Sequence, residues 1–482
     1  MKKSSDNLQS NIFFNVLKTG ISVIAPLITY TYITRRLGIE NIGKVNFVTS
    51  LISYFQLIAS LGINNYAISL GAKIRDDKKK FNIFSSEIFS INMISTLIAY
   101  VMLFLMLFFV KPISQYRTLL IISSISMFFV CIGMEWVYGA FENYKYISIR
   151  SIVFQILNVF LIIIFINNPS DIYLYTFLTV LPTIGSGLIN YFYRKNFMKF
   201  DFSDVHYKNV KKHFKPIFLI WGMSVASVIY INSDTIMLTL INGNRASGLY
   251  SVATKTSHVI CLMLSAVCTV LLPKLSKIYN ENNKEKFSET LEKTFCYLLM
   301  IIFPLFIGLF MLSKEAVLLL GGETYILSVN AAKIISINVI FSPINGLIAS
   351  QVFIPMGMQK ISFISTVVGA ITNVALNFIL LPKYGIEGAA VTTIIAELVV
   401  FVFGFVYIRK IINTKNILKS IIQYIIASVA VILVCYFWKL FINNIIFRVV
   451  FDVICSCLFY FVILIILKNE SFMEMISRYI KK

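Results

Sequence analysis

Fourteen apolar runs, each about as long as a bilayer is thick, occupy most of this chain and leave it little else to fold into. A membrane-spanning helix needs about 20 predominantly apolar residues. Such runs lie at 11–33, 44–69, 83–110, 118–137, 147–167, 172–193, 216–241, 248–272, 294–313, 330–354, 361–381, 387–408, 419–438 and 446–467. The expected fold is therefore an all-α integral membrane protein with 14 transmembrane helices. Composition agrees: 58% hydrophobic and 13% charged residues, with a mean hydropathy of +0.82, exclude a water-soluble globule, whose usage is about 45–50% apolar and 25% charged. The runs at 44–69 and 248–272 carry the most polar residues, among them Asn46, Asn64, Lys255 and His258, and suit the half-buried wall of a cavity. Met1-Lys-Lys resembles the start of a signal peptide, but the apolar run is long and no small-residue cleavage pattern closes it, so a retained first helix is expected.

A net charge of +21 would suggest nucleic acid in a soluble protein. Here the placement of the charges decides otherwise. With the N-terminus in the cytoplasm, 28 of the 43 basic residues fall in inner loops and 8 in outer ones. That bias is the positive-inside rule, helped by an anionic inner leaflet. Both termini are expected inside, membrane lipids are the expected surroundings, and nucleic acid is not an expected partner. The seven cysteines all lie within runs without CxxC or histidine at ligand spacing, so they read as small buried apolar residues, with no disulfide or metal site.

The chain also repeats itself. Thr34-Arg-Arg-Leu-Gly-Ile-Glu-Asn-Ile-Gly43 is a polar hinge between two apolar runs, and Asn242-Gly-Asn-Arg-Ala-Ser-Gly248 is another, with Gly248 standing 205 residues after Gly43. A looser echo pairs Ile147–Val153 with Ile361–Val367. Six runs precede the basic linker and six follow it, so the halves enter the membrane from the same side and form parallel repeats. The expected organisation is an N-terminal lobe over 11–193, a cytoplasmic basic linker over 194–215 that includes His206 and His213, a C-terminal lobe over 216–408, and two appended helices over 419–467. Pro26, Pro182, Pro304 and Pro343 fall inside helices and should bend them.

The loops argue against an enzyme. The longest outer loop, 314–329, holds no domain, the outer carboxylates Glu40, Asp171, Glu315 and Glu323 are scattered, three histidines give no nucleophilic triad, and no phosphate-binding loop is present to power a pump. The informative residues are instead ionisable groups inside the runs, which cost about 2.5–3.5 kcal/mol at a helix centre. Lys44, Arg150, Lys419 and Arg448 sit near run ends and should reach the interface, and Glu135 with Trp136 reads as interfacial and structural. Lys255 lies deeper, with Ser251 and His258 on its face, and suits either an anionic headgroup or a structural ion pair. Lys18 matches it in the first lobe, while Lys333 suits the same role or an interfacial anchor. Asp234 ends a stripe with Ser224, Ser227 and Ile231, and Glu397 lies near mid-membrane; each could bind a coupling proton or cation, or serve structure by an ion pair or hydrogen bond.

Six segments in order, Pro26–Gly38, Glu135–Ile147, Ser233–Leu238, Gly248–Lys255, Leu272–Tyr279 and Ile354–Lys360, resemble bacterial polysaccharide-biosynthesis flippases of Wzx type. That family lies within the group that includes multidrug and toxin extruders and lipid II flippases. The resemblance covers about residues 10–410. It implies two six-helix lobes around a central cavity plus two C-terminal helices, in the cytoplasmic membrane of a bacterium, without a cofactor. It also implies an undecaprenyl-pyrophosphate-linked oligosaccharide as substrate, moved by alternating access on a proton or sodium gradient, with a polysaccharide polymerase as a further candidate partner. Lys18, Lys255, His258 and Lys333 would then line the pyrophosphate route, and Asp234 and Glu397 would couple the ion. Drug extruders of the group typically carry an acid in the first helix, whereas 11–33 has none; lipid II flippases tend to place several arginines in the first two helices, where this chain has Lys18 inside and Arg35 and Arg36 at the mouth.

Overall fold

The computed structural model describes the backbone of residues 2–200, 205, 207–269, 272–281 and 283–480. His206 of the basic linker lies outside the described residues. The chain divides into two compact units, Met1–Gly248 and Leu249–Lys482. Among the described residues every regular element is a helix. That is the outcome lipid enforces, because a helix satisfies its own backbone polar groups where no water can.

The first unit contains α1 (Lys2–Leu37), α2 (Ile39–Ser60), α3 (Ile63–Ile74), α4 (Lys78–Phe109), α5 (Arg117–Gly133), α6 (Glu135–Ala140), α7 (Tyr144–Phe165), α8 (Ile172–Tyr193) and α9 (Tyr207–Asn242). Helix α10 (Asn244–Thr269) begins in it. The closest packing joins α5 to α8, α1 to α7, and α2 to both α4 and α9. The run expected at 44–69 breaks between α2 and α3, where Leu61 and Gly62 both adopt left-handed φ, at 45° and 70°. The Trp221 indole of α9 donates to Leu57 O at 3.0 Å just before the break, so the interruption sits where a neighbour supplies a partner. Asp77 caps α4 through the Lys80 N–H, which holds its carboxyl below the usual carboxylate range.

The second unit holds most of α10, then α11 (Leu272–Asn280), α12 (Lys284–Met311), α13 (Ser313–Gly321), α14 (Val329–Ser336), α15 (Asn338–Leu347), α16 (Gln359–Ile408), α17 (Thr414–Phe441), α18 (Ile445–Ile466) and α19 (Glu470–Ile480). Its core is built on α12, with α17 and α18 packed on each other. Helices α14 and α15 form one span bent by 44°, which continues into a π-helical segment at Ile348–Phe353. At 50 residues, α16 would be roughly 75 Å long if straight, more than twice a bilayer core. It is instead a hairpin. Gly385 turns the chain with φ 52° and ψ −125°. Thr392 Oγ1 donates to Asn377 Oδ1 at 2.6 Å, although 15 residues of straight helix would separate them by about 22 Å.

Among the described residues ten helices are long and apolar enough to cross a membrane, or eleven when the bent pair is counted as one span. The difference from fourteen expected runs has three sources. The hairpin counts once for 361–381 and 387–408; in the run at 248–272 the side chains at 266, 267 and 269 and residues 270–271 lie outside the described residues; and so do the side chains before Lys18 in the run at 11–33. The outer surface is apolar as well as the core. Large apolar side chains such as Leu97, Phe108, Leu433 and Leu458 point outward, while Thr29, Ser95, Ser123, Asn190 and Asn377 are buried. Pro26, Pro182, Pro304 and Pro343 all lie inside helices as expected. The cysteines are free, and five are buried, but Cys457 is exposed and Cys455 half-exposed on α18.

The two glycines aligned by the repeat meet in space. A Cβ on Gly43 would stand 1.9 Å from Asn244 O, and a Cβ on Gly248 would stand 2.1 Å from Ile39 O. The contact is reciprocal, since Asn244 and Gly248 follow Ile39 and Gly43 by the same 205 residues. Only hydrogen at these positions lets the two backbones touch. Gly43→Ala and Gly248→Ala are each expected to destabilise the protein by about 1–3 kcal/mol, as overpacking does, and the double variant by less than the sum, because they share one contact. Thermal unfolding in detergent followed by tryptophan fluorescence measures this; unchanged midpoints would refute it.

Candidate functional site

The six residues singled out in the sequence are spread over five helices, α1, α9, α10, α14 and α16. Lys255 is half-buried on α10, and His258, three residues on, is exposed but close enough to feel the lysine's charge. Lys18 is half-buried on α1, as is Lys333 on α14. Asp234 is buried on α9, within electrostatic reach of Tyr54 on α2. Glu397 is buried on the second arm of the α16 hairpin, where Asn345 Nδ2 donates to its carboxylate at 2.6 Å and to its backbone carbonyl at 3.0 Å. That clamp joins the hairpin to α15, three residues before the π-helical segment. Such segments recur at functional sites because they free backbone groups.

The structure also assembles polar clusters that the sequence reading did not bring together. Glu87 of α4 and His213 of α9 meet with His213 Nε2 2.8 Å from Glu87 Oε2, while Tyr66 Oη of α3 lies 2.7 Å from His213 Nδ1. Both the glutamate and the histidine side chains are 2% exposed, and Lys212 Nζ lies 3.9 Å from the same carboxylate oxygen. A phenol, an imidazole and a carboxylate in line tie the start of α9 to α3 and α4. The second cluster is in the hairpin: Asn377 Nδ2 donates to Asn373 Oδ1 at 3.2 Å, Thr392 donates to Asn377, and Tyr250 Oη of α10 lies 3.0 Å from Thr393 Oγ1. An i, i+4 pair of asparagines inside an apolar run was the available signal.

Two expectations for charged residues are corrected. Arg150 does not reach an interface: its side chain is 5% exposed, and Glu135 accepts from it at 2.5 Å while Asn190 Oδ1 accepts from its other nitrogen. Glu135 is therefore a buried arginine's partner. Arg448 pairs with Glu315, with side chains 14% and 8% exposed, in place of snorkelling. Run-end position alone misled, because the partners come from other helices. Lys419 does sit at a rim, bonded to the exposed Glu470. No group of three or more metal-ligating side chains exists among the described residues.

Among the described residues the chain is an all-helical, multi-pass membrane protein with broken and hinged spans and several ionisable groups buried among its helices. The comparisons narrow the class. The model of the family described as polysaccharide biosynthesis protein matches residues 8–279, and that of the MatE family matches 220–379. The first match covers more than half of the chain, which therefore belongs to the polysaccharide biosynthesis protein family. The chain is 24% identical over 391 residues to the capsular polysaccharide biosynthesis protein CapF of Staphylococcus aureus, covering 78% of this chain and 93% of that one. It is 22% identical over 404 residues to a protein named as an O-antigen transporter from Shigella dysenteriae, covering 82% and 98%. Its fold is that of the lipid II flippase MurJ in an inward closed conformation, with a TM-score of 0.71 and 18% identity over 98% of this chain and 100% of that one. The Shigella relative is named as a transporter and the structural neighbour as a flippase.

His213→Ala, which strands the buried Glu87 carboxylate, is expected to cost about 2–4 kcal/mol of stability. Glu87→Gln keeps the shape and one hydrogen bond and should cost less. Equal losses in thermal unfolding of the two variants would show that His213 acts by packing alone.

Proposed function

We propose that this protein is a flippase for an undecaprenyl-pyrophosphate-linked oligosaccharide, carrying the repeat unit of a surface polysaccharide from the inner to the outer leaflet of a bacterial cytoplasmic membrane. The observation that carries the reading is the family match over residues 8–279, on a chain whose fold is that of a lipid flippase. The residues suit the task. A diphosphate cannot cross hydrocarbon bare, so it needs cations within the membrane to replace its water. Lys255 and Lys18 are half-buried on spanning helices and supply them, with His258 and Lys333 as further members of the set. The lipid tail stays in the bilayer.

Movement by alternating access needs a gradient and a group that binds its ion. Asp234 and Glu397 are the buried carboxylates we assign to that step, with a proton or sodium as the ion. Glu397 is the better placed to transmit it, since its Asn345 bond reaches the bent α14–α15 span. The excess of lysine and arginine in alternate loops supports cytoplasmic termini. The first lobe over 11–193, the linker over 194–215, the second lobe over 216–408 and the helices over 419–467 are the divisions we assign to the transport cycle. A polysaccharide polymerase acting on the delivered unit is the partner this chemistry calls for.

The test is translocation of a fluorescent undecaprenyl-pyrophosphate oligosaccharide in proteoliposomes under an imposed proton or sodium gradient. Native protein should flip it, and Lys255→Ala should slow flipping by about tenfold or more, the worth of one charge-assisted hydrogen bond. Flipping that is unaffected in a folded variant would make Lys255 structural. Transport of lipid II or of a drug cation in place of the oligosaccharide lipid would overturn the substrate.

A further inference from the structure

Among α5, α7 and α8 of the first unit lies a cavity of about 300 Å³ that the transport reading does not use. Its floor is made by glycines. A Cβ on Gly133 would stand 3.0 Å from Gly187 Cα, and one on Gly187 would stand 2.6 Å from Phe129 O, so α5 and α8 touch backbone to backbone. Above that contact α7 presents Arg150, Ser151 and Gln155, and α8 presents Thr183, Ser186 and Asn190. An apolar helix has thus placed its polar residues on one cavity.

The guanidinium is held rigidly. Arg150 donates to Glu135 and to Asn190 Oδ1, Tyr146 donates to the same Asn190 oxygen at 3.0 Å, and Tyr138 donates to the Asn190 carbonyl at 2.5 Å. With Glu135 neutralising Arg150, the cavity carries no net charge. Among the described residues, Arg150 Nε, Gln155 Oε1 and, one turn further along α7, Asn158 Oδ1 are buried without a hydrogen-bond partner. Buried donors and acceptors are costly unless something satisfies them. The cavity wall itself adds Ser151, Gln155, Thr183 and Ser186, which both donate and accept, with Phe129 beside them.

That combination selects its ligand. A phosphate offers only acceptors and would bring negative charge beside Glu135; an ammonium offers only donors and would face Arg150. A sugar hydroxyl both donates and accepts, and the apolar face of a pyranose ring packs on an aromatic side chain. The volume stands at the lower end of small-molecule sites, about 300–1,000 Å³, room for one ring or two. We infer that this cavity is a saccharide subsite that binds a sugar ring of the carried unit through Arg150, Gln155 and the hydroxyls of Thr183 and Ser186. The inference rests on the proposed function and adds a site for the sugar distinct from the lysines assigned to the pyrophosphate.

The experiment is saturation-transfer NMR on the full chain in lipid nanodiscs, with the methyl glycosides of glucose, galactose, N-acetylglucosamine and N-acetylgalactosamine as probes. At least one should receive transfer at its ring protons. Gln155→Leu and Thr183→Val, each confirmed folded by thermal unfolding, should weaken that binding by about tenfold, one lost hydrogen bond, and inorganic pyrophosphate should not displace it. No transfer to any of the four, equal transfer in native protein and both variants, or displacement by pyrophosphate would overturn the subsite. Translocation of the lipid-linked oligosaccharide is measured on the same preparation. Sugar binding without flipping would remove the transport reading and leave the cavity; flipping without sugar binding would do the reverse.

Discussion

Inside a bilayer a backbone N–H or carbonyl has no water to fall back on, and that constraint accounts for where this chain is regular and where it is not. Unbroken helices need no help. Each interruption falls where other groups of the same unit lie close at hand. The break at Leu61 and Gly62 lies against α9, whose Trp221 donates to Leu57. The bent span of α14 and α15 is held by Asn345 on Glu397. The turn at Gly385 is closed by Thr392 on Asn377. Irregular backbone thus falls beside polar side chains, and at the bent span one of these is the candidate coupling residue Glu397.

The charges obey the same economy. Arg150 with Glu135 and Arg448 with Glu315 are each made from two different helices, so each pair fixes tertiary contacts as well as neutralising a charge, and His213 hydrogen-bonds Glu87 between α9 and α4. Such pairs contribute little net stability over apolar packing but are costly to break. They act as registration points. Lys18, Lys255 and Lys333 are half-buried on their helices.

Much was legible beforehand because membrane folding is governed by sums over long segments. Runs of about 20 apolar residues need no knowledge of neighbours, and the bias of lysine and arginine between alternate loops needs only their order. The glycines of the repeated hinge were legible too, since both copies retained the residue without a side chain, and the structure has them in reciprocal contact. Arg150 was misread because its position near a run end looked interfacial, whereas Asn190, 40 residues away, and Glu135, 15 residues away, draw it inward. Nothing local in Glu87 marks it as the partner of a histidine 126 residues later.

The sequence by itself determined the membrane and the helical fold class, because both follow from hydrophobicity summed along the chain, while the family was legible in the order of six short segments. Tertiary structure alone decided which buried charges are paired and that α5, α7 and α8 enclose a neutral polar cavity. Those outcomes turn on distances of a few ångströms between side chains far apart in sequence, where hydrogen bonding and close packing act and hydropathy has no say.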